Sequence, residues 1–198
     1  KDQVEEKGYD LTFISKNLGS DNMSYLEHCR WRNTEGVIIA CIEFKHPQLV
    51  ELMQSEIPVV TIDFVAENRN AIMSDNFAGL YELTQYLIGL GHSDICYVYG
   101  HPSYVTSERI SGFKRAMEDA GIALNEGSLL ESRYDDKKRN MQVIERFAQK
   151  GQWPTAIIFP DDYSAVWGIK TLREMGIRVP EDISVAGFDG LELGEMIQ

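Results

Sequence analysis

The sequence predicts an α/β protein with doubly wound parallel sheets, and three observations lead there. Short apolar runs alternate with segments of helical period along the chain, and strict alternation implies parallel strands joined by right-handed crossovers. Several runs are continuously apolar, such as Val37-Ile38-Ile39-Ala40, which is how strands covered on both faces read. Three helical segments run into a Leu-Gly, Ala-Gly or Met-Gly pair at Gly91, Gly121 and Gly176, where glycine relieves the strain of a left-handed helix cap.

Taken in order, the strand-like runs are residues 11–15, 36–41, 58–62, 71–74, 95–100, 129–131, 155–159 and 183–187. Between them, helical periods cover 23–32, 47–54, 77–90, 107–120, 138–150 and 162–175. Residues 101–105 are left as a loop with no fixed pattern. The boundary between two lobes is placed at Ser74-Asp75, where an apolar run leads straight into a new helix with Asp75 or Asn76 as N-cap. This gives lobes of residues 1–74 and 75–198. Residues 1–7 read as the end of an amphipathic helix, so the chain is expected to have been cut from a longer one.

Length and composition bound the function. With 198 residues, 43% hydrophobic and 25% charged, the chain has the makeup of an ordinary globular protein able to bury a core. No apolar run reaches the roughly 18 residues a membrane span needs, and no apolar stretch behind residues 1–7 marks a signal peptide. A formal net charge of −12 repels phosphate backbones, so these residues are not expected to bind nucleic acid by bulk electrostatics. The cysteines Cys29, Cys41 and Cys96 make no CxxC pair. Cys41 and Cys96 lie in apolar runs and read as buried, and an odd count without a disulfide framework favours a reducing compartment. No GxSxG elbow, GxGxxG loop, P-loop or HExxH occurs. His28, His46, His92 and His101 are scattered without metal-ligand spacing. Neither an enzyme nor a cofactor or metal site is expected.

Ligands of open α/β sheets sit beyond the carboxyl ends of the strands. Asp63 and Phe64 follow the run 59–62 there, and a loop after Gly100 leads through Ser107 to Arg109. Tyr134 follows 129–131, Asp161 and Asp162 follow 155–159, and Asp189 follows Phe188. An Arg fork and Asp acceptors together match the donor and acceptor faces of sugar hydroxyls, and an aromatic ring packs on the apolar face of a pyranose or a base. Each residue also has a plainer reading. Asp161 or Asp162 could cap the following helix, Tyr134 and Phe64 could be rim packing, and Arg109 could be a solvated first-turn residue. Asp161 and Asp162 are unsuited to act as a catalytic pair, because adjacent residues at a helix start point in different directions.

Four stretches carry a family resemblance. They are Ile57-Pro58-Val59-Val60-Thr61-Ile62-Asp63, the run from Ser74-Asp75-Asn76-Phe77-Ala78-Gly79 to Gly91-His92, Arg109-Ile110-Ser111-Gly112-Phe113, and Pro154 to Asp162. The last continues into Gly176-Ile177-Arg178-Val179-Pro180-Glu181-Asp182-Ile183-Ser184-Val185-Ala186-Gly187-Phe188-Asp189. The chain resembles the effector-binding part of the lactose-repressor (LacI/GalR) family of transcription regulators over nearly its whole length, more weakly over the first 35 residues. The resemblance implies a two-lobed fold like that of the type I periplasmic binding proteins. It implies a cytoplasmic, homodimeric, allosteric regulator that binds a small-molecule effector, a sugar by preference, between its lobes.

Carried over position by position, the resemblance implies Asp63 and Phe64 as contacts from one lobe and Arg109, Tyr134, Asp161 and Asp189 from the other. Asp161 stands where the family usually has Asn, which adds a charge. Trp167 stands where a small residue is common, on a helix that the family uses in dimer contacts. By the same comparison, operator DNA would be met only through an N-terminal domain that these residues lack. The first strand and the C-terminal return segments would be absent as well, so residues 1–198 are not expected to fold autonomously. The alternative reading is a periplasmic sugar-binding protein of a transport system, which shares the fold. The stretch Arg178-Val179-Pro180-Glu181-Asp182-Ile183-Ser184-Val185 and the unpaired cysteines favour the regulator.

Overall fold

Two separate parallel sheets organise the chain. The structure, a computed structural model, describes residues 2–14, 23–40, 43–134 and 136–192. It divides into two units, Lys1–Ser74 and Asp75–Gln198.

The first unit contains α1 (Asp2–Glu5), α2 (Tyr25–Trp31), β1 (Val37–Ile39), α3 (Pro47–Gln54), β2 (Val59–Ile62) and β3 (Asn70–Ile72). Its strands pair in parallel in the order β1-β2-β3. A capping box starts α2: the Ser24 hydroxyl accepts the Glu27 N–H at 3.2 Å, and the Glu27 carboxylate accepts the Ser24 N–H at 2.7 Å. Ile39 and Val59 point to one face of the sheet and are buried with Leu26 and Cys29 of α2 and Leu49 and Leu52 of α3. Arg69 ties the far end of α3 to the approach of β3. It donates to the carbonyls of Met53 (2.6 Å), Ile57 (3.2 Å) and Ser55.

Two expectations change in this unit. Residues 11–14 form no strand, while Ser15 lies outside the described residues. Leu11 and Phe13 are exposed, because an apolar run becomes a strand only where a neighbouring backbone takes up its hydrogen bonds. Nor are the strands covered on both faces. The register puts Ile38 beside Val60 and Ile62 beside Ile72, and both Ile38 and Ile72 are 63% exposed. A continuous apolar run states that both faces can be buried, not that they are. The position of Cys41 lies outside the described residues.

The second unit contains α4 (Asn76–Gly89), β4 (Ile95–Tyr99), α5 (Tyr104–Asp119), β5 (Leu129–Glu131), α6 (Lys137–Lys150), β6 (Ala156–Ile158), α7 (Asp162–Glu174) and β7 (Ser184–Ala186). The sheet runs β5-β4-β6-β7, all parallel. Here the two-sided reading holds. Ile95, Tyr97 and Ile158 pack with Leu80, Phe113 and Met117 from α4 and α5, while Cys96, Val98 and Ile157 pack with Val143, Ile144 and Leu172 from α6 and α7. Helices α4 and α5 touch at Gly112, where a Cβ would come within 2.2 Å of the Phe77 carbonyl oxygen. Gly91, Gly121 and Gly176 take φ of +97°, +69° and +79°, as helix-terminating glycines do.

One boundary moves. Ser103 caps α5, its hydroxyl accepting the Thr106 N–H at 3.1 Å, so Tyr104 and Val105 are helical rather than loop. Among the described residues no helix is long and apolar enough to cross a membrane.

Candidate functional site

The parallel register brings the carboxyl ends of four strands to one edge of the second unit, since Tyr99 pairs with Glu131, Tyr97 with Ile158 and Ile158 with Ala186. Gly100, Tyr134, Pro160-Asp161 and Phe188-Asp189 follow directly. Arg109 reaches the same place from α5.

Arg109 is the centre of this edge, not a solvated first-turn residue. Its side chain is 9% exposed. Nε donates to Asn76 Oδ1 at 2.8 Å, and Nη1 donates to the Pro160 carbonyl at 2.8 Å. Nη2 lies 4.0 Å from Asp189 Oδ1, and the guanidinium carbon sits 3.6 Å from the Phe188 ring centroid. These partners set the plane of the fork, and the guanidinium has more N–H donors than they take. Asp189 itself adopts φ +99°, a left-handed backbone that a side-chain-bearing residue rarely takes and that collects at functional sites.

Tyr134 packs against Gly100, where a Cβ would fall 2.1 Å from a ring carbon. Only glycine leaves room for the ring. The Tyr134 hydroxyl lies 3.5 Å from that of Thr106, and the His101 ring meets Tyr134 edge-on at 5.6 Å. Tyr97 lies beneath, fully buried, and its hydroxyl makes no hydrogen bond of ordinary geometry among the described residues. Burial pushes its phenol well above the usual range, the Tyr134 hydroxyl adds to this, and Arg109 opposes it.

Asp161 serves as the N-cap of α7. One carboxylate oxygen accepts the Ser164 N–H at 2.7 Å and the other accepts the Ser164 hydroxyl at 2.8 Å. The chain of bonds continues through buried groups. Asn140 Nδ2 donates to the Ser164 hydroxyl at 2.9 Å, and Asn140 Oδ1 accepts the Ser132 hydroxyl at 2.7 Å. Asp162 turns elsewhere and accepts the Leu191 N–H at 2.6 Å, so the two acids do not act together.

Asp63 and Phe64 lie in the first unit, at the carboxyl end of β2. Asp63 takes φ +60°, and its N–H donates to the Ile72 carbonyl at 3.0 Å. The Phe64 carbonyl accepts the buried Thr61 hydroxyl. The Phe64 ring stacks on Phe44 with centroids 4.3 Å apart and planes 5° from parallel.

Sequence reasoning thus brings together Arg109, Tyr134, Asp161 and Asp189 at one edge. It missed Asn76 as the partner of Arg109, having considered it only as a possible cap. It also missed the Phe188 ring under the guanidinium, and His101, which was set aside with its loop. The available signal was position, since both Asn76 and His101 stand just beyond an apolar run. Among the described residues no group of three or more His, Cys, Asp or Glu side chains could hold a metal ion. What the edge offers is a fixed guanidinium, carboxylate acceptors and an aromatic face, a set suited to binding hydroxyl-rich molecules.

Residues 1–197 match the family model described as periplasmic binding proteins and sugar binding domain of LacI family. The chain belongs to this family. Among LacI-family relatives, it is 32% identical over 197 residues to the HTH-type transcriptional repressor PurR of Vibrio parahaemolyticus, covering 96% of this chain and 58% of that protein. It therefore spans little more than half the length of that relative. A LacI family transcriptional regulator from Enterococcus faecium, solved with bound ribose, superposes with a TM-score of 0.83 at 25% identity, covering all of this chain and 73% of that one. A transcription regulator from Lactobacillus plantarum gives a TM-score of 0.80 at 25% identity over 98% of this chain and 73% of its own.

Proposed function

We propose that this LacI-family chain is the effector-sensing part of a transcriptional regulator. A small molecule, a sugar ahead of a purine, is taken at the strand-end edge of the second unit by Arg109, Tyr134, Asp161 and Asp189, and its binding controls a DNA-binding segment outside these residues. The observation that carries this reading is Arg109, a nearly buried guanidinium aimed by Asn76, Pro160 and Phe188 at a strand-end edge. A charge held so far from water needs partners, and a ligand oxygen would supply one where Asp189 stands at 4.0 Å. The ribose-bound neighbour supports a sugar as the ligand class. A homodimer in the cytoplasm that carries out no catalysis completes the reading, in keeping with relatives that bear the names of repressors.

A thermal-shift screen of the full-length protein against sugars, D-ribose first, and purines tests the ligand class, because a ligand bound only by the native state raises Tm. For the compound found, Arg109→Ala should weaken binding by roughly 2–4 kcal/mol in isothermal titration, since a charged donor is lost. An unchanged affinity sinks the assignment.

A further inference from the structure

The second unit has a cavity of about 530 Å³, within the range of small-molecule sites, that shares no residue with the strand-end site. Asp94 precedes β4, Glu126 precedes β5 and Trp153 precedes β6, so it opens at the amino ends of the strands, the opposite edge of the sheet. The last turns of α6 supply Arg146, Phe147 and Lys150.

Three features of the lining specify a ligand. The Trp153 ring packs against Phe147 with centroids 6.1 Å apart and planes 37° from parallel, which makes an aromatic wall. Arg146 and Lys150, four residues apart, project from the same helix face. Neither makes an ion pair or side-chain hydrogen bond among the described residues, whereas Arg30, Arg115, Arg139, Lys170 and Arg178 each have a carboxylate within 4.0 Å. Asp94 and Glu126 add acceptors to the lining, and the Asn125 amide donates to one oxygen of Asp94 at 3.3 Å.

A simple anion makes no use of the two acids, and a simple cation none of the two bases. A molecule with a phosphate at one end and an amino-bearing aromatic ring at the other offers an anion to the two bases, an N–H donor to one of the acids and a ring to the indole. We propose that this cavity is a second ligand site, for a nucleoside monophosphate whose base lies on Trp153, whose exocyclic amine donates to Asp94 or Glu126, and whose phosphate meets Arg146 and Lys150. The last turn of a helix also favours cations by its dipole, so charge alone does not carry the assignment. The aromatic wall and the facing acids do.

The test is isothermal titration of the full-length protein with AMP, alongside tryptophan fluorescence read against a Trp153→Phe variant, which separates Trp153 from Trp31 and Trp167. Saturable binding that quenches the indole is expected, and inorganic phosphate should compete only weakly. The double variant Arg146→Glu and Lys150→Glu should weaken binding by about tenfold or more, a loss of roughly 1.4 kcal/mol per decade. Both side chains are exposed, so the melting curve of that variant should match the parent. Arg109→Ala, which disables the strand-end site, should leave AMP binding intact, so the two assignments fail separately. No saturable binding, loss of AMP binding in Arg109→Ala with none in the double variant, or equal competition by inorganic phosphate would overturn the proposal.

Discussion

Arg109, Asp161 and Asp189 show how much a residue's role depends on its neighbours. Asp161 was open to two readings, helix cap and ligand acceptor, and the structure gives it the first: both of its oxygens are occupied by Ser164. Carboxylate oxygens have further lone pairs, so the second reading stays a proposal with a clean test. Asp161→Asn keeps an acceptor for the Ser164 N–H and should retain effector binding. Asp161→Ala loses the cap, at about 1 kcal/mol of stability, and should lose binding too. Equal loss of binding in both variants would show that the charge itself is needed. Asp182 is a separate case of a carboxylate set by its partner. The Arg178 fork (2.9 and 2.6 Å) and the Arg178 N–H (2.8 Å) hold its carboxyl down at about 2. A folded-state value below the unfolded one, about 3.9, contributes stability that is present above the unfolded value and is lost as pH falls from about 4 through about 2. An NMR titration of Asp182 should find its midpoint near the lower end of that window, and Asp182→Asn should make the fall of Tm across it shallower.

At the scale of elements, the sequence marked the second unit more closely than the first. Glycines after α4, α5 and α7, and continuous apolar runs for β4 and β6, gave boundaries within a few residues. The start of α5 was missed because Ser103 as a cap was weaker in the pattern than Ser107, although the Ser103–Thr106 bond settles it. In the first unit Arg69 does a job no local pattern announces, holding three carbonyls at the end of α3 from 12 to 16 residues away. Hydrogen bonds to a charged donor contribute more than neutral ones, so Arg69→Ala should destabilise the first unit by roughly 2–4 kcal/mol, less whatever water restores to the carbonyls. Arg69→Lys should recover less than half, because an ammonium lacks the planar fork. Hydrogen exchange of the α3 amides would measure both, and unchanged protection in Arg69→Ala would refute the role.

At the scale of the whole molecule, net charge is the property that sequence alone supplies. Residues 1–198 with a charge of −12 should give no salt-sensitive shift of duplex DNA in a gel, since too little cationic surface exists to displace counterions from the phosphates. A salt-sensitive shift by these residues alone would contradict that. The sequence by itself also determined the alternation of strands and helices, the parallel sense of the sheets and the strand ends at which polar residues gather, because all three are periodic or local properties of the chain. Only the tertiary structure decided that Arg109 rests on Phe188 and Asn76, that Gly100 makes room for Tyr134, and that the β1-β2-β3 sheet leaves Ile38 and Ile72 exposed while the β5-β4-β6-β7 sheet is covered on both faces. Those facts depend on which segments far apart in sequence come to lie side by side. An apolar run or a lone arginine reads the same whatever its eventual neighbour, and contact across the fold supplies the rest.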